Sequence, residues 1–449
     1  MPSASTTAST PVIVGAANPV SFVSSDSSAA VGADGAAAAA DTRLAPSSPG
    51  FRRMSFALFA AGMAAFALLY STQALLPAIS AGLGVSAAQA SWTVSAATGA
   101  LALFVLPLSA LSERFGRRTL MTYSLVVAVG VALLIPLAPN VGWLIALRAV
   151  QGAALAGLPA SAMAYLAEEV RPKALVAAIG LFVAGNSIGG MSGRIVTGWV
   201  AQLWGWRASL AAVALMALVC AVVFRLMLPK ARNFRPGTLS PRVLAKTVGT
   251  HLSDPLLRRL YAIGALFMTV FGAVYTVIGY RLVEAPFSLP QGVVGSIFLV
   301  YLVGTVSSAG AGKLVARTGR RGALYLAVTT TAAGLLLSLS DSLAGVLAGL
   351  VLITAGFFAG HAVASSSVSR AAKTGRAQAS ALYQSAYYLG SSVGGTLGAT
   401  AFHAGGWEGV VALGLLAVVG VVSITLYGTR CARVERRLER RTSLVVANS

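Results

Sequence analysis

Two arginines lie inside long apolar stretches of the chain, Arg148 in "LIALRAVQGAALAG" and Arg194 in "GNSIGGMSGR". A charged side chain is costly away from water, so such a residue is by default a candidate for ligand binding or proton movement. Arg148 could bind an anionic group or tune a neighbouring proton site, and we expect the carbonyl of Gln73 to accept a hydrogen bond from it. The alternative for both arginines is a structural role in which backbone carbonyls satisfy the guanidinium.

His361 lies within another apolar stretch and is the best buried candidate for a group that binds and releases a proton. Imidazole changes its charge near neutral pH, which is the property that proton movement requires. Tyr383, Gln384 and Tyr387 lie at a similar depth in the next apolar stretch. A proton site among these residues and a histidine that only packs against them are both compatible with the sequence.

Acidic residues are absent from the deep parts of these apolar stretches. Two buried arginines without a deep carboxylate predict a neutral or electropositive site, which favours anionic or neutral small molecules over lipophilic cations. Tyr70 and Tyr275, which lie 205 residues apart, would add aromatic lining suited to a partly apolar solute. The sequence has neither a GxxxxGK[ST] phosphate loop nor metal-ligand spacing, so we expect no ATP hydrolysis, metal, cofactor or enzymatic chemistry.

The composition indicates the elements that must position these residues. Hydrophobic residues make up 57% of the 449 positions and charged residues 10%, whereas a soluble domain carries about 25% charged residues. Only helices and closed barrels satisfy the backbone in lipid, and apolar runs of about 20 residues are too long for barrel strands. The sequence therefore predicts an all-α membrane protein of twelve transmembrane helices, here called spans 1–12, at about 54–79, 90–110, 119–138, 142–166, 174–203, 207–228, 260–283, 292–315, 322–340, 343–368, 377–402 and 407–429.

The basic residues predict the orientation of the spans. Of the 33 lysines and arginines, 29 lie in one set of connections, which includes both termini, and two lie in the opposite set. Basic loops remain in the cytoplasm, so we expect both termini to be cytoplasmic and explain the net charge of +21 without nucleic-acid binding. The predicted domains are a disordered cytoplasmic tail (1–50), an N-terminal six-helix half (51–228), a cytoplasmic linker (229–259), a C-terminal six-helix half (260–429) and a basic cytoplasmic tail (430–449).

The two halves repeat each other in sequence. "GNSIGGMSG" at 185–193 matches "GSSVGGTLG" at 390–398, and the polar loop "LSERFGRRTL" at 111–120 has a weaker copy at 314–324, "LVARTGRRGAL". Two pseudo-symmetric halves around a site near the midplane are typical of transporters. Small residues three or four positions apart let another helix approach closely, so we expect helix packing at Gly185, Gly189, Gly190 and Gly193.

These motifs resemble those of the major facilitator superfamily, over residues 54–429. The loop "LSERFGRR" resembles the family signature G-x-L-[AS]-D-R-x-G-R-R, with Glu113 in place of the usual Asp and Ser109 in place of the leading Gly. The stretch around Arg148 resembles a motif of the drug:proton antiporter branch, whereas span 5 lacks the proline of that branch. "LYSTQALLPAI" (69–79), "ASWTVSAATGALAL" (90–103) and "GNSIGGMSGR" are together most similar to the bacterial YnfM-like branch.

The resemblance implies a secondary transporter with the major facilitator fold in a bacterial inner membrane, which moves a small organic solute by alternating access. Proton-coupled efflux is the preferred mode, and the alternatives are uptake by symport, facilitated diffusion and a transporter-like receptor without flux. The expected partners are an anionic or neutral solute, protons as coupling ion and the lipid bilayer, and we expect a monomer.

The resemblance also implies roles for residues. The signature loop would gate the pathway through Glu113, Arg114, Gly116, Arg117 and Arg118. Glu113 would cap the next helix or pair with a basic residue across the half-interface and so hold an outward-open state. The candidates for substrate binding or coupling are Tyr70, Gln73, Arg148, Asn186, Arg194, Tyr275, His361, Tyr383, Gln384 and Tyr387.

Overall fold

The computed structural model describes residues 43–46, 48–234, 236–237 and 241–447, with residues 241 and 431–447 described by their backbone alone. Nine helical segments of this part are long and apolar enough to cross a membrane. Three of them contain 47 to 56 residues and are broken at glycines with non-helical backbone angles, Gly205, Gly319 and Gly405–Gly406. Each of the three supplies two spans, so the prediction of an all-α bundle of twelve spans is confirmed.

The bounds of the spans follow from these segments. Spans 1 to 4 are Pro49–Leu83, Ala87–Phe115, Arg117–Leu137 and Val141–Glu169, and spans 5 and 6 share Pro172–Met227. Span 7 is Pro255–Val283, spans 8 and 9 share Gln291–Leu337, span 10 is Leu343–Ala371, and spans 11 and 12 share Arg376–Arg430. The loops after even-numbered spans carry the basic residues, and we call that side of the bundle the basic end.

Span 1 is interrupted near its middle. Its first helix, Pro49–Leu69, starts at Ser48, whose hydroxyl accepts from the backbone N–H of Phe51, and it ends before a turn and a short 3-10 helix, Gln73–Leu75. A second helix, Leu76–Leu83, completes the span. The break turns the side chains of residues 70–75 out of the register that a continuous helix would give them, which matters for the site.

Glycine contacts hold equivalent pairs of spans together in the two halves. A Cβ atom at Gly185, Gly189 or Gly193 of span 5 would lie within 3.0 Å of the backbone of span 1. The same holds for Gly390, Gly394 and Gly398 of span 11 against the backbone of span 7. This repetition of one packing mode confirms the pseudo-symmetry of the two halves. Gly190 faces elsewhere and lines the cavity described below.

The structure also describes parts of the predicted tails and linker. Residues 1–42 and 47 of the predicted tail lie outside the described residues, whereas Leu44 pairs with Val170 and the helix of span 1 starts at Pro49. The predicted linker contains a helix, Pro241–Ser253. Of the predicted basic tail, the backbone is helical to Ala447.

Candidate functional site

A cavity of about 400 Å³ lies between the two halves. Spans 1 and 5 of the N-terminal half and spans 7, 8, 10 and 11 of the C-terminal half line it. Eight of its 20 lining residues are phenylalanine or tyrosine, and none of the described residues that line it is acidic. The polar lining residues other than tyrosine are Asn186, Ser187, Arg194, Thr305, Ser308, His361 and Gln384.

The structure separates the ten candidate residues into two groups. Six of them line the cavity: Tyr70, Asn186, Arg194, His361, Gln384 and Tyr387. The other four, Gln73, Arg148, Tyr275 and Tyr383, are buried outside its lining. Three of these four nevertheless contact a residue of the wall, and the fourth, Arg148, acts on the backbone that carries Tyr70.

Arg194 is the charged residue of the cavity wall and is 2% exposed. Its Nε and Nη2 atoms donate to Gln73 Oε1 over 2.8 and 2.6 Å, and its Nη1 atom donates to the carbonyl of Gly190 over 2.5 Å. The guanidinium carbon also lies 4.5 Å from the centre of the Tyr70 ring and 4.9 Å from that of Tyr301. Hydrogen bonds and ring faces therefore fix this cation without neutralising its charge.

The predicted pairing of Gln73 with Arg148 is wrong. Gln73 Oε1 accepts from Arg194, and Gln73 Nε2 lies 3.5 Å from Thr276 Oγ1 in the other half. The physical reason is the break in span 1, which turns the 3-10 segment Gln73–Leu75 toward span 5 and the half-interface. A single side chain thus orients Arg194 and touches both halves.

Arg148 is fully buried and binds backbone rather than Gln73. It donates to Thr93 O over 2.9 Å, to Leu68 O over 2.7 Å and also to Leu69 O. Leu68 and Leu69 end the first helix of span 1, where carbonyl oxygens lose the N–H donors four residues on, although Leu68 O still accepts from Ser71 N–H. Arg148 therefore stabilises the break in span 1, and the structural alternative for this arginine describes its contacts.

His361 lies in an aromatic part of the cavity wall. Its Nδ1 atom is 3.0 Å from Tyr383 Oη, and its ring is 4.6 Å from the ring of Tyr387 and 6.0 Å from that of Phe357, centre to centre. Spans 10 and 11 thus bring together the histidine and tyrosines that the sequence placed at a similar depth. His361 therefore lines the cavity, while its Nδ1 atom has a hydroxyl partner, Tyr383, behind the wall.

Tyr275 does not repeat the position of Tyr70. Its hydroxyl lies 2.5 Å from Thr354 Oγ1, and its ring packs 4.5 Å from Phe271 behind the wall. Tyr301 of span 8 lines the cavity instead and was not among the candidates. Its signal in the sequence is the spacing of Tyr301, Thr305 and Ser308, which places one hydroxyl side chain per turn on the same face of a helix.

Hydrogen bonds between the halves close the end of the bundle remote from the basic loops. Tyr280 Oη donates to Leu76 O over 3.0 Å and lies 2.6 Å from Ser80 Oγ. Among the described residues, further bonds between the halves join Gln291 to Ala74, Trp199 to Ser296, Gly292 to Gln202, and Ser392 and Thr396 to Ser95. The cavity extends the other way, to Gly180 and Ser308, so it lies on the basic-end side of these bonds.

The signature loop after span 2 forms a tight turn at Gly116, whose φ of 94° suits glycine, and its copy turns at Gly319 with a φ of 71°. Arg117 Nε forms an ion pair of 3.1 Å with Glu168 at the end of span 4, and Arg117 Nη1 donates to Ser112 Oγ. Arg117 therefore links the end of span 2 to the end of span 4 within one half.

Glu113 does not have the predicted capping role, because the helix of span 3 starts without a side-chain cap. The described residues also give Glu113 no ion pair across the half-interface, since the halves are joined at the other end. Of the other loop residues, Arg114 places its guanidinium carbon 5.6 Å from the centre of the Phe115 ring. The backbone carbonyl of Arg118 accepts a hydrogen bond from the hydroxyl of Thr122.

Glu169 is a buried polar residue outside the predicted candidates. It is 3% exposed and accepts hydrogen bonds from the backbone N–H groups of Arg232 and Asn233, both over 2.8 Å. A buried carboxylate that receives backbone donors ties the start of the linker to the end of span 4. Its signal was the adjacent pair Glu168–Glu169 at a helix end, in a chain with 12 acidic residues.

Comparison with known proteins agrees with this architecture. Residues 54–368 match the Major Facilitator Superfamily. The inner membrane transport protein YnfM of Escherichia coli is 40% identical over 385 residues, 86% of this chain and 92% of YnfM. The MFS-type transporter YybF of Bacillus subtilis is 38% identical over 387 residues, 86% of this chain and 95% of YybF.

Solved structures show the same fold at low sequence identity. A bacterial homologue of the human lysosomal transporter Spinster, in an inward-facing and unoccupied conformation, superposes with a TM-score of 0.68 at 15% identity and covers 86% of this chain and 98% of its own. A POT family transporter in complex with 5-aminolevulinic acid gives a TM-score of 0.71 at 13% identity, over 85% and 96% of the two chains. The match of most of the sequence and of the twelve-span architecture shows that this chain belongs to the major facilitator superfamily of membrane transporters.

Proposed function

We propose that this protein is a secondary active transporter that moves a small anionic or neutral organic solute by alternating access. The observation that carries the proposal is the cavity between the two halves, which Arg194 lines without an acidic neighbour among the described residues. The eight phenylalanine and tyrosine side chains of the wall support a solute with an apolar body. Hydrogen bonds between the halves hold one end of the cavity shut, and none between the two halves is described at the basic end among the residues that the structure covers, an asymmetry that suits alternating access.

We assign the basic end to the cytoplasm of a bacterial cell and the protein to its inner membrane, with both termini cytoplasmic. The bias of 29 basic residues against two supports this orientation. The conformation described above is then the one that takes up solute from the cytoplasm. Efflux by exchange with protons is the proposed mode, supported by the resemblance to the drug:proton antiporter branch.

For the coupling ion we propose protons, with His361 as the group that carries them. Three features support this role: imidazole titrates near neutral pH, Tyr383 Oη lies 3.0 Å from Nδ1, and His361 lines the cavity. Protonation of His361 and binding of the solute would then affect each other, because both would take place in the same cavity. If His361 only packs against its neighbours, its replacement will leave the coupling of solute movement to a pH gradient unchanged.

The test is flux in proteoliposomes through a reversible lock on the closed end. Ser95 Oγ and Thr396 Oγ1 lie 2.9 Å apart across the halves, so sulfur atoms in their place would be close enough to form a disulfide after Ser95→Cys and Thr396→Cys in a background with both native cysteines, Cys220 and Cys431, replaced by alanine. A ligand found by thermal shift should be transported by the reduced variant and bound but not transported by the oxidised one. A pH gradient should change the reduced rate.

Two results would contradict the proposal. Binding without flux in both redox states, and in the wild-type protein, would identify a receptor rather than a transporter. Flux that continues at the same rate after complete oxidation would show that the closed end does not open during transport. The single variants Ser95→Cys and Thr396→Cys are the matched controls, because neither can form the cross-link.

A further inference from the structure

Arg194 keeps hydrogen-bonding capacity that the protein does not use. A guanidinium has five N–H donors, and the three described bonds take one from Nε, one from Nη1 and one from Nη2. Within the described chain, each terminal nitrogen therefore retains one N–H. Because no acidic residue is described in the cavity wall, the charge of Arg194 also has no counter-ion there, and a buried unpaired charge is unfavourable.

Tyr301 offers a second unused donor next to this cation. Its hydroxyl is buried without a hydrogen-bond partner in the described chain, and its ring centre lies 4.9 Å from the Arg194 guanidinium carbon. Both residues line the cavity. A charged donor and a hydroxyl donor that face one space form a site for the oxygens of an acid.

An aromatic wall continues from Tyr301 along the C-terminal half. The ring of Phe271 lies 5.3 Å from Tyr301 and is stacked on Phe357 at 4.0 Å, and Phe357 is stacked on His361 at 6.0 Å. Stacked rings cover one another's faces and leave their edges to line the cavity, and ring edges pack well against the face of a planar aromatic body.

The far part of this wall carries an unused acceptor. Gln384 Oε1 is buried without a hydrogen-bond partner in the described chain, and Gln384 lines the cavity beside His361 and Tyr387. A buried amide oxygen without a partner is costly. A hydroxyl or amino group of a ligand would satisfy it.

We propose that the cavity binds a planar aromatic acid that carries a hydroxyl or amino substituent. Arg194 and Tyr301 hold the carboxylate, the rings of Phe271 and Phe357 pack against the aromatic body, and Gln384 accepts a hydrogen bond from the substituent. This assignment rests on the proposed function, since it names the class of solute that the transporter moves, but the binding step can be measured without transport.

The experiment measures the binding of four probes to the purified full-length protein in detergent by isothermal titration calorimetry. The probes are 4-hydroxybenzoate, benzoate, the neutral 4-hydroxybenzamide and the lipophilic cation tetraphenylphosphonium. 4-Hydroxybenzoate should bind most tightly, and the amide should bind about 10-fold or more weakly, because it loses a charged hydrogen bond. Equal affinity for acid and amide, tightest binding of the cation, or no binding of 4-hydroxybenzoate would each overturn the proposal.

Variants then assign the groups. Tyr301→Phe should weaken 4-hydroxybenzoate binding several-fold, whereas Tyr325→Phe is the matched control, because its hydroxyl is also buried and unpartnered in the described chain but lies outside the cavity lining. Gln384→Leu should weaken 4-hydroxybenzoate but leave benzoate unchanged. Arg194→Gln should remove the preference for acid over amide. Equal effects of the two tyrosine variants, or equal losses for both acids in Gln384→Leu, would refute the assigned contacts.

Flux of the same probes separates this inference from the proposed function. If another solute is transported while 4-hydroxybenzoate neither binds nor competes, the transporter proposal stands and the aromatic-acid site is wrong. If 4-hydroxybenzoate binds with the expected variant pattern but no probe is transported, the site stands and the transporter proposal fails.

Discussion

Replacement of Arg148 by methionine should destabilise span 1 rather than remove a contact to the solute. In the structure this side chain supplies hydrogen bonds to Leu68 O and Leu69 O at the break in span 1 and to Thr93 O in span 2. Methionine fills much of the same volume but donates no hydrogen bond. The change therefore isolates the polar contacts of Arg148 from its packing.

The expected magnitude follows from the acceptors that lose their partner. Leu69 O and Gln151 Oε1 are buried, and the hydrogen bonds described for them come from Arg148. A buried acceptor left unsatisfied costs about 1–3 kcal/mol, so the two together predict a loss of about 2–6 kcal/mol in the free energy of unfolding. Leu68 O and Thr93 O lie in helices and retain backbone partners, so they add less.

The assay is thermal unfolding of the purified protein in detergent, followed by tryptophan fluorescence, together with binding of the ligand found by thermal shift. Arg281→Met is the matched control, because Arg281 also donates to backbone carbonyls, those of Ser338 and Ser340, but is only half-buried at a span end that water can reach. We expect a clearly larger fall in melting temperature for Arg148→Met than for the control. Binding should weaken as well, because Tyr70 moves with the break.

One outcome would refute this reasoning. If Arg148→Met unfolds at the same temperature as the wild-type protein but no longer binds the solute, Arg148 contacts the solute in a conformation other than this one. Its contacts with span 1 would then be incidental to stability. Arg148→Lys should lie between wild type and methionine in melting temperature, since an ammonium group can reach some of the same carbonyls.

Three further changes have expected outcomes. Gly189→Ala places a Cβ against the backbone of span 1 and should cost about 1–3 kcal/mol by overpacking, whereas Gly130→Ala, which meets open space, should not lower the melting temperature; equal effects would show that the close contact is not stabilising. Tyr280→Phe removes the hydrogen bonds to span 1 and should increase labelling of cysteines introduced at the closed end, and unchanged labelling would exclude a latch. His361→Gln should abolish the response of flux to a pH gradient while the exposed His403→Gln retains it; full coupling in the first variant would remove His361 from proton transfer.

Much of the architecture could be predicted because it depends on local sequence. Apolar length, basic loops and glycine spacing are properties of neighbouring residues, and they led to the twelve spans and the duplicated halves. The candidate site was partly predictable for the same reason, since deep polar residues are few and six of the ten candidates line the cavity. Tyr301 was not predicted as a site residue, because tyrosines are common in spans and carry no charge that would distinguish a functional one.

The choice of partner for each polar residue could not be predicted in this way. Gln73 and Arg148 lie at a similar depth, but the break in span 1 turns Gln73 toward Arg194 and presents the carbonyls of Leu68 and Leu69 to Arg148. Likewise, Tyr70 and Tyr275 hold equivalent positions in the repeat, but only Tyr70 lines the cavity among the described residues.

The sequence by itself determined that the chain crosses a membrane twelve times in two related halves, with charge placed at one end and two arginines in the interior. The physical reason is that burial in lipid constrains each span separately, through its length and polarity. Only the tertiary structure decided that Arg194 lines the cavity and Arg148 supports the break, because hydrogen-bond geometry depends on how spans distant in sequence cross and where their helices are interrupted.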